Sequence, residues 1–222
     1  MKVNRLSFAK KTMDLFLYVF AALFSVINPL GTVPVFVGLT SDETSIERNK
    51  TSLLTAINTT VILIICFFAG TYILDFFSIS LNALRIAGGM IIVSSGFALL
   101  TGTFSKHKGM KNKRVKKDLS NREKISLTPL AIPMLAGPGA ISILITYNQE
   151  YSKTSEILLI LLAVLAVGFA TFLMLRFAPY LTKLLGASGI NAISRIVGFI
   201  VISIGIEYIS SAVILIIQNL EL

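Results

Sequence analysis

Apolar residues fill this chain in long blocks separated by short polar turns, and six blocks are long enough to cross a bilayer: 14–38, 52–77, 80–102, 125–147, 156–180 and 190–217. A spanning helix needs about 20 mostly apolar residues, so the pattern predicts an all-α integral membrane protein with six transmembrane helices. Runs of this length exclude an outer-membrane barrel, whose strands alternate over roughly ten residues. The one long polar stretch, 103–124, separates a first three-helix unit, 1–102, from a second, 125–222. That leaves no room for a soluble domain, so any activity must reside in the bundle.

Two blocks carry helix breakers at mid-span. The first contains "INPLGTVPVF" at 27–36, and the fourth contains "PLAIPMLAGPGAISILI" at 129–145. Pro29 and Pro34 are five apart, as are Pro133 and Pro138. A second correspondence sets "LNALRIAGG" in the third block against "INAISRIVG" in the sixth, aligning Asn82 with Asn191 and, after one inserted residue, Arg85 with Arg195. The halves therefore read as repeats. With an odd number of spans per half, the second copy must enter the membrane from the opposite side, giving an inverted 3+3 repeat with broken first and fourth helices.

Each proline removes an amide hydrogen and clashes with the carbonyl four residues back. Lipid cannot satisfy the freed groups, so irregular backbone at membrane depth must be buried in protein or line a wet cavity. Pro34 and Pro138 are expected to start second half-helices, whose free amides carry partial positive charge and would accept a carboxylate. Freed carbonyls across each break could receive an ammonium group, so the element suits a zwitterion. Gly31, Gly137 and Gly139 would let a solute approach the backbone closely. Asn28, directly before Pro29, is the strongest polar candidate, because its backbone is pushed out of the helical region and its side chain can reach the break. Thr32 joins it. The bland alternative is a pair of packing kinks re-satisfied by neighbouring helices.

Composition agrees with the pattern: 55% of residues are hydrophobic and 14% charged, with a mean hydropathy of +0.82. Charge sets orientation. Residues 103–124 carry nine Lys and Arg against Asp118 and Glu123, so that loop is expected in the cytoplasm and both termini outside. Lys2, Arg5, Lys10 and Lys11 dissent, and they also resemble the n-region of a signal peptide. No A-x-A-like site follows, so the first block is read as part of the mature protein. The basic loop reads as a topology signal, with anionic-lipid contact as its functional alternative; no folded module supports nucleic-acid binding. Single Cys66 and His107 leave no metal or disulfide framework, and no cofactor is implied.

Taken together, "FSVINPLGTVPVFVGLT", "LRIAGGMIIVSSGFALLTG" and "PLAIPMLAGPGAISILI" resemble the signature stretches of the MarC-type family of six-span bacterial inner-membrane proteins. The resemblance covers nearly the whole chain. It implies a secondary transporter related to the lysine-exporter superfamily that moves small neutral amino acids of the glycine, alanine and serine class. Uptake with protons and export are both open, as are the preferred amino acid and the oligomeric state.

Ionisable groups inside spans are expensive, at about 2.5–3.5 kcal/mol for a central Arg on insertion scales. Arg85 and Arg195 are candidate carboxylate contacts or gates on the two access paths, or else snorkelling cations. Glu207, in "GIEYISSAV", is the candidate proton carrier. An exporter or channel for another solute, a drug or an ion, is the alternative function. A membrane-embedded enzyme would need a nucleophile with a base, or a metal constellation, inside the spans. The spans carry no His and no paired carboxylates.

Overall fold

A computed structural model describes residues 2–102 and 126–219, with the side chains of 2–12, Thr128, Pro129, Pro133 and Ala187 outside that description. The basic loop with His107, and the side chains of the four N-terminal cations and of Pro133, therefore lie outside that description. Among those described, the chain is helical throughout: α1 (Lys2–Ile27), α2 (Pro29–Leu39), α3 (Ser45–Phe76), α4 (Leu81–Leu100), a π-helical segment π1 (Ser126–Leu135), α5 (Pro138–Glu150), α6 (Thr154–Arg176) and α7 (Ala178–Gln218).

Five stretches are long and apolar enough to span a membrane: Met13–Leu39, Ser45–Phe76, Leu81–Leu100, Thr154–Arg176 and Ser188–Gln218. The fourth expected span is instead two pieces, π1 of 10 residues and α5 of 13, neither of which crosses alone. Prolines explain the winding of π1. Pro129 and Pro133 supply no amide hydrogen, so the regular four-residue ladder cannot close at either position. Its closing bond runs five residues, from Ala136 N–H to Ala131 O at 2.8 Å.

Helix starts follow local chemistry. Thr44 and Glu47 form a reciprocal capping box on α3, and Ser80 caps α4 through the amide of Ala83. Gly186, at φ 63°, interrupts α7 so that a short piece precedes the span beginning at Ser188. The outer faces of α3, α6 and α7 expose Ile65 and Phe68, Leu162 and Phe169, and Phe199 and Ile206. In water such a surface would aggregate; against acyl chains it is the solvated face.

Helix α4 packs most extensively on α7, through glycines. A Cβ on Gly89 would lie 2.7 Å from Gly205 O, and one on Gly96 would lie 2.9 Å from Gly198 O. Rising numbers on one helix meet falling numbers on the other, so the two run antiparallel with their backbones nearly touching. Adding a methyl here has a definite expected cost. Gly205→Ala should lower stability by about 1–3 kcal/mol, read as a drop in the thermal transition of the solubilised protein. Gly38→Ala, with nothing within 4 Å of its added Cβ, should leave the transition unchanged or raise it.

Candidate functional site

Two helix breaks face the bundle interior. At the first, α1 closes with Asn28 N–H donating to Phe24 O at 2.9 Å. A following proline keeps position 28 out of the right-handed helical region, and Asn28 adopts the left-handed one, φ 46° and ψ 66°, which asparagine tolerates better than most residues. Its Oδ1 accepts the Gly31 amide at 3.2 Å, and Thr32 Oγ1 donates to its carbonyl at 3.4 Å. The side-chain amide nitrogen, Nδ2, is buried without a hydrogen-bond partner in a residue only 2% exposed. A buried donor left unpaired costs about 1–3 kcal/mol.

At the second break, Ala136 and Gly137 leave the helix, and Pro138 opens α5 with no side-chain cap on Gly137. Ile141 N–H returns to Gly137 O at 3.1 Å. The first amides of a helix lack intrahelical partners, so this uncapped end presents positive dipole. The breaks adjoin. A Cβ on Gly139 would lie 3.3 Å from Val26 Cγ1, two residues before Asn28, and 2.8 Å from Ile92 Cγ1 of α4.

The sequence expectations meet these breaks unevenly. Pro29 and Pro138 both sit at the start of a half-helix, but Pro34 does not: it lies inside α2, exposed on a cavity wall. Pro133 belongs to π1, ahead of the break. The register that paired Pro29 with Pro133 and Pro34 with Pro138 is therefore corrected. Asn28 and Gly137, the first residues of α3 and α6 (Ser45, Thr154), Gly89 and Gly198, and Gly96 and Gly205 are each 109 positions apart. At that spacing Asn82 still meets Asn191, whereas Arg85 meets Ser194. Arg195 is exposed on α7, while Arg85 and Ser194 are each 7% exposed. The inserted residue that matched the two arginines follows their letters, not their place in the fold.

Along the chain Asn28 falls between residues that line two different openings, and it lines neither itself. On one side a groove of about 400 Å³ runs along α1 from Tyr18 to Ser25, with Tyr147, Ser203, Glu207 and Tyr208 on its other walls. On the other, a cavity of about 260 Å³ begins at Gly31 and is lined by Pro34, Leu99, Asn191 and Ser194. Beside the groove is a smaller polar cavity of about 100 Å³ lined by Tyr18, Arg85, Thr146, Tyr147, Glu150, Glu207, Tyr208 and Ser211. There Arg85 pairs with Glu150, and one Glu207 oxygen accepts from Ser211 Oγ at 3.1 Å.

Glu150 and its tyrosine neighbours were not among the expected site residues. Their signal was the polar run "TYNQEY" at 146–151, which closes the fourth apolar block and looks like an ordinary interfacial end. Among the described residues no cluster of His, Cys, Asp or Glu could hold a metal ion.

The sequence profile described as "MarC family integral membrane protein" matches residues 13–217. Among curated proteins, the chain is 39% identical to "UPF0056 membrane protein BU267" of Buchnera aphidicola subsp. Acyrthosiphon pisum, over 90% of this chain and 93% of that one. It is 37% identical to "UPF0056 membrane protein YhcE" of Escherichia coli, over 87% and 89% of the two chains. "UPF0056 inner membrane protein MarC" of Citrobacter koseri is 33% identical, over 93% and 99%. No solved structure matches the chain. With nearly its full described length matched, and with five membrane-length apolar stretches, this chain belongs to the MarC family of integral membrane proteins.

Proposed function

We propose that the protein is a secondary transporter of small neutral amino acids of the glycine, alanine and serine class, working by alternating access to a site where the two broken helices adjoin. The observation that carries this reading is the position of Asn28, buried with an unpaired Nδ2 and placed along the chain between Ser25, which lines the groove, and Gly31, which lines the cavity. Asn28 Nδ2 and the uncapped start of α5 at Gly139 and Ala140 would receive the carboxylate of the solute. Carbonyls freed around Pro29 and Pro138 would receive its ammonium group.

The protein is read as an inner-membrane, multi-pass chain of two inverted repeats. The common spacing of 109 positions and the reciprocal contacts of Gly89 with Gly205 and Gly96 with Gly198 support that reading, since an inverted pair exchanges such contacts about a local two-fold axis. With loop 103–124 in the cytoplasm and both termini outside, the Arg85 end of α4 is external and the Ser194 end of α7 internal. Glu207, on the wall of the external groove, is the proposed proton-coupling group.

Uptake and counterflow of labelled glycine, alanine and serine in proteoliposomes, with and without a pH gradient, tests the assignment. Accumulation or exchange of at least one is expected. A second reading has one specific observation behind it: the 400 Å³ groove is also walled by Ala21, Ala22, Ile200 and Ile204, a lining suited to an amphiphile. Failure of all three amino acids, with movement of a lipophilic solute, would replace the first reading by the second.

A further inference from the structure

The Arg85 cavity is separate from the helix breaks and is built unlike its opposite number. At the common spacing of 109 positions, Arg85 corresponds to Ser194, Glu150 to Ser41, Glu207 to Ala98, Tyr208 to Leu99 and Ser211 to Gly102. One end of the α4–α7 pair is therefore charged and hydroxyl-rich, and the other is small and neutral. The opposite end also holds a cavity, of about 260 Å³, and Leu99, Gly102 and Ser194 line it without a charge, so the charged set is particular to the Arg85 end.

Inside the charged cavity, Arg85 is 7% exposed and Thr146 2% exposed, and Thr146 Oγ1 has no hydrogen-bond partner. The guanidinium is held by Glu150, whose side chain is 41% exposed at the last position of α5. A buried guanidinium needs a carboxylate-like partner, and here it has one that solvent can reach and withdraw. Two carboxylates, Glu150 and Glu207, share the cavity with one guanidinium. Their net charge of about −1 disfavours a free anion and accepts a ligand bringing one charge of each sign.

We propose that this cavity is a second, peripheral binding site for a small α-amino acid zwitterion, in which the carboxylate of Glu150 occupies the place of the ligand carboxylate when the site is empty. On binding, the ligand carboxylate takes over Arg85, with Thr146 Oγ1 as a further donor, and its ammonium group faces Glu207. A space of about 100 Å³ admits solutes of glycine or alanine size. The inference rests on the transport reading for its substrate class, but not on the site at the helix breaks.

Binding to the purified full-length protein in nanodiscs tests it. Three of the six tyrosines (18, 147 and 208) line this cavity, a fourth, Tyr151, packs edge-on against Tyr147, and the chain has no Trp, so tyrosine emission reports local occupancy alongside calorimetry. Glu150→Gln removes the internal competitor and should tighten glycine binding by about tenfold if the paired state is about nine-tenths populated. Arg85→Gln should abolish the emission change, and Arg85→Lys, which keeps the charge but loses the fork, should retain a weaker one. Glu207→Gln should weaken glycine while leaving acetate binding undiminished.

A Glu150→Gln protein that binds glycine no more tightly, or less tightly, would overturn the proposal. So would an Arg85→Gln protein with a native thermal transition and an intact emission response. Transport of glycine without any response at this cavity would sink the peripheral site alone. A response here, with no amino acid transported, would instead sink the transport assignment.

Discussion

Replacing Asn28 by glycine is expected to lower amino acid transport roughly ten- to hundredfold while leaving the protein folded. Asn28 does two separable things. Its backbone accepts a left-handed conformation at the end of α1, and its side chain both accepts the Gly31 amide and holds Nδ2 toward the interior. Glycine keeps the first property without strain, and as a helix cap it costs only a few tenths of a kcal/mol relative to asparagine. What it removes is a donor that would bind a carboxylate, an interaction of about 1.5–3 kcal/mol. Asn28→Ala serves as the contrast. It should lose the cap and also strain the backbone, at about 1 kcal/mol or more for each, so its thermal transition should fall together with transport. A glycine variant with wild-type transport would show that Asn28 is a turn residue and nothing more.

The second large effect is expected at Gly139, where a methyl group would enter the space between the breaks. Its Cβ would lie 2.8 Å from Ile92 Cγ1 and 3.3 Å from Val26 Cγ1, so Gly139→Ala should cost about 1–3 kcal/mol of stability through overpacking. The same methyl covers the uncapped amides of α5, so transport should fall as well. The double variant Gly139→Ala with Ile92→Ala separates these consequences, because trimming Ile92 removes the colliding atom. Coupling between the two changes should appear in the unfolding transition, with the double variant more stable than the sum of the single costs. Transport should stay low, since the methyl remains over the amides. Recovery of transport in the double variant would assign Gly139 to packing.

Much of this architecture could be read from the residues, because the bilayer imposes simple rules. Long apolar blocks became helices, and the breaks fell directly before Pro29 and Pro138, where proline denies its predecessor a helical backbone. Pro34 was misjudged for a physical reason: at the sixth of α2's 11 residues it forfeits a single bond, the one an amide there would make to the Leu30 carbonyl, and the helix continues through that loss. The pairing of Arg85 with Arg195 failed because matching letters needed an inserted residue, and a single inserted residue on a helix turns a side chain by about 100°. Arg85 faces inward as a result, and Arg195 faces out. Glu150 was missed because apolar periodicity ends where α5 ends. A residue's role there depends on which distant helix it meets, and α4 supplies Arg85 from 65 positions away.

The most direct test of the central claim uses single cysteines at Thr32 and Ala140, Thr32→Cys and Ala140→Cys, each on a Cys66→Ala background. Both native residues are small and buried beside the breaks. Labelling with a membrane-impermeant thiol reagent, applied from either side of oriented vesicles, reports whether water reaches each position. If the adjoining breaks form the transport site, both cysteines should react from one side or the other, and millimolar glycine should slow that reaction. Cysteines that stay unreactive from both sides in every condition, or that react at a rate glycine does not change, would contradict it.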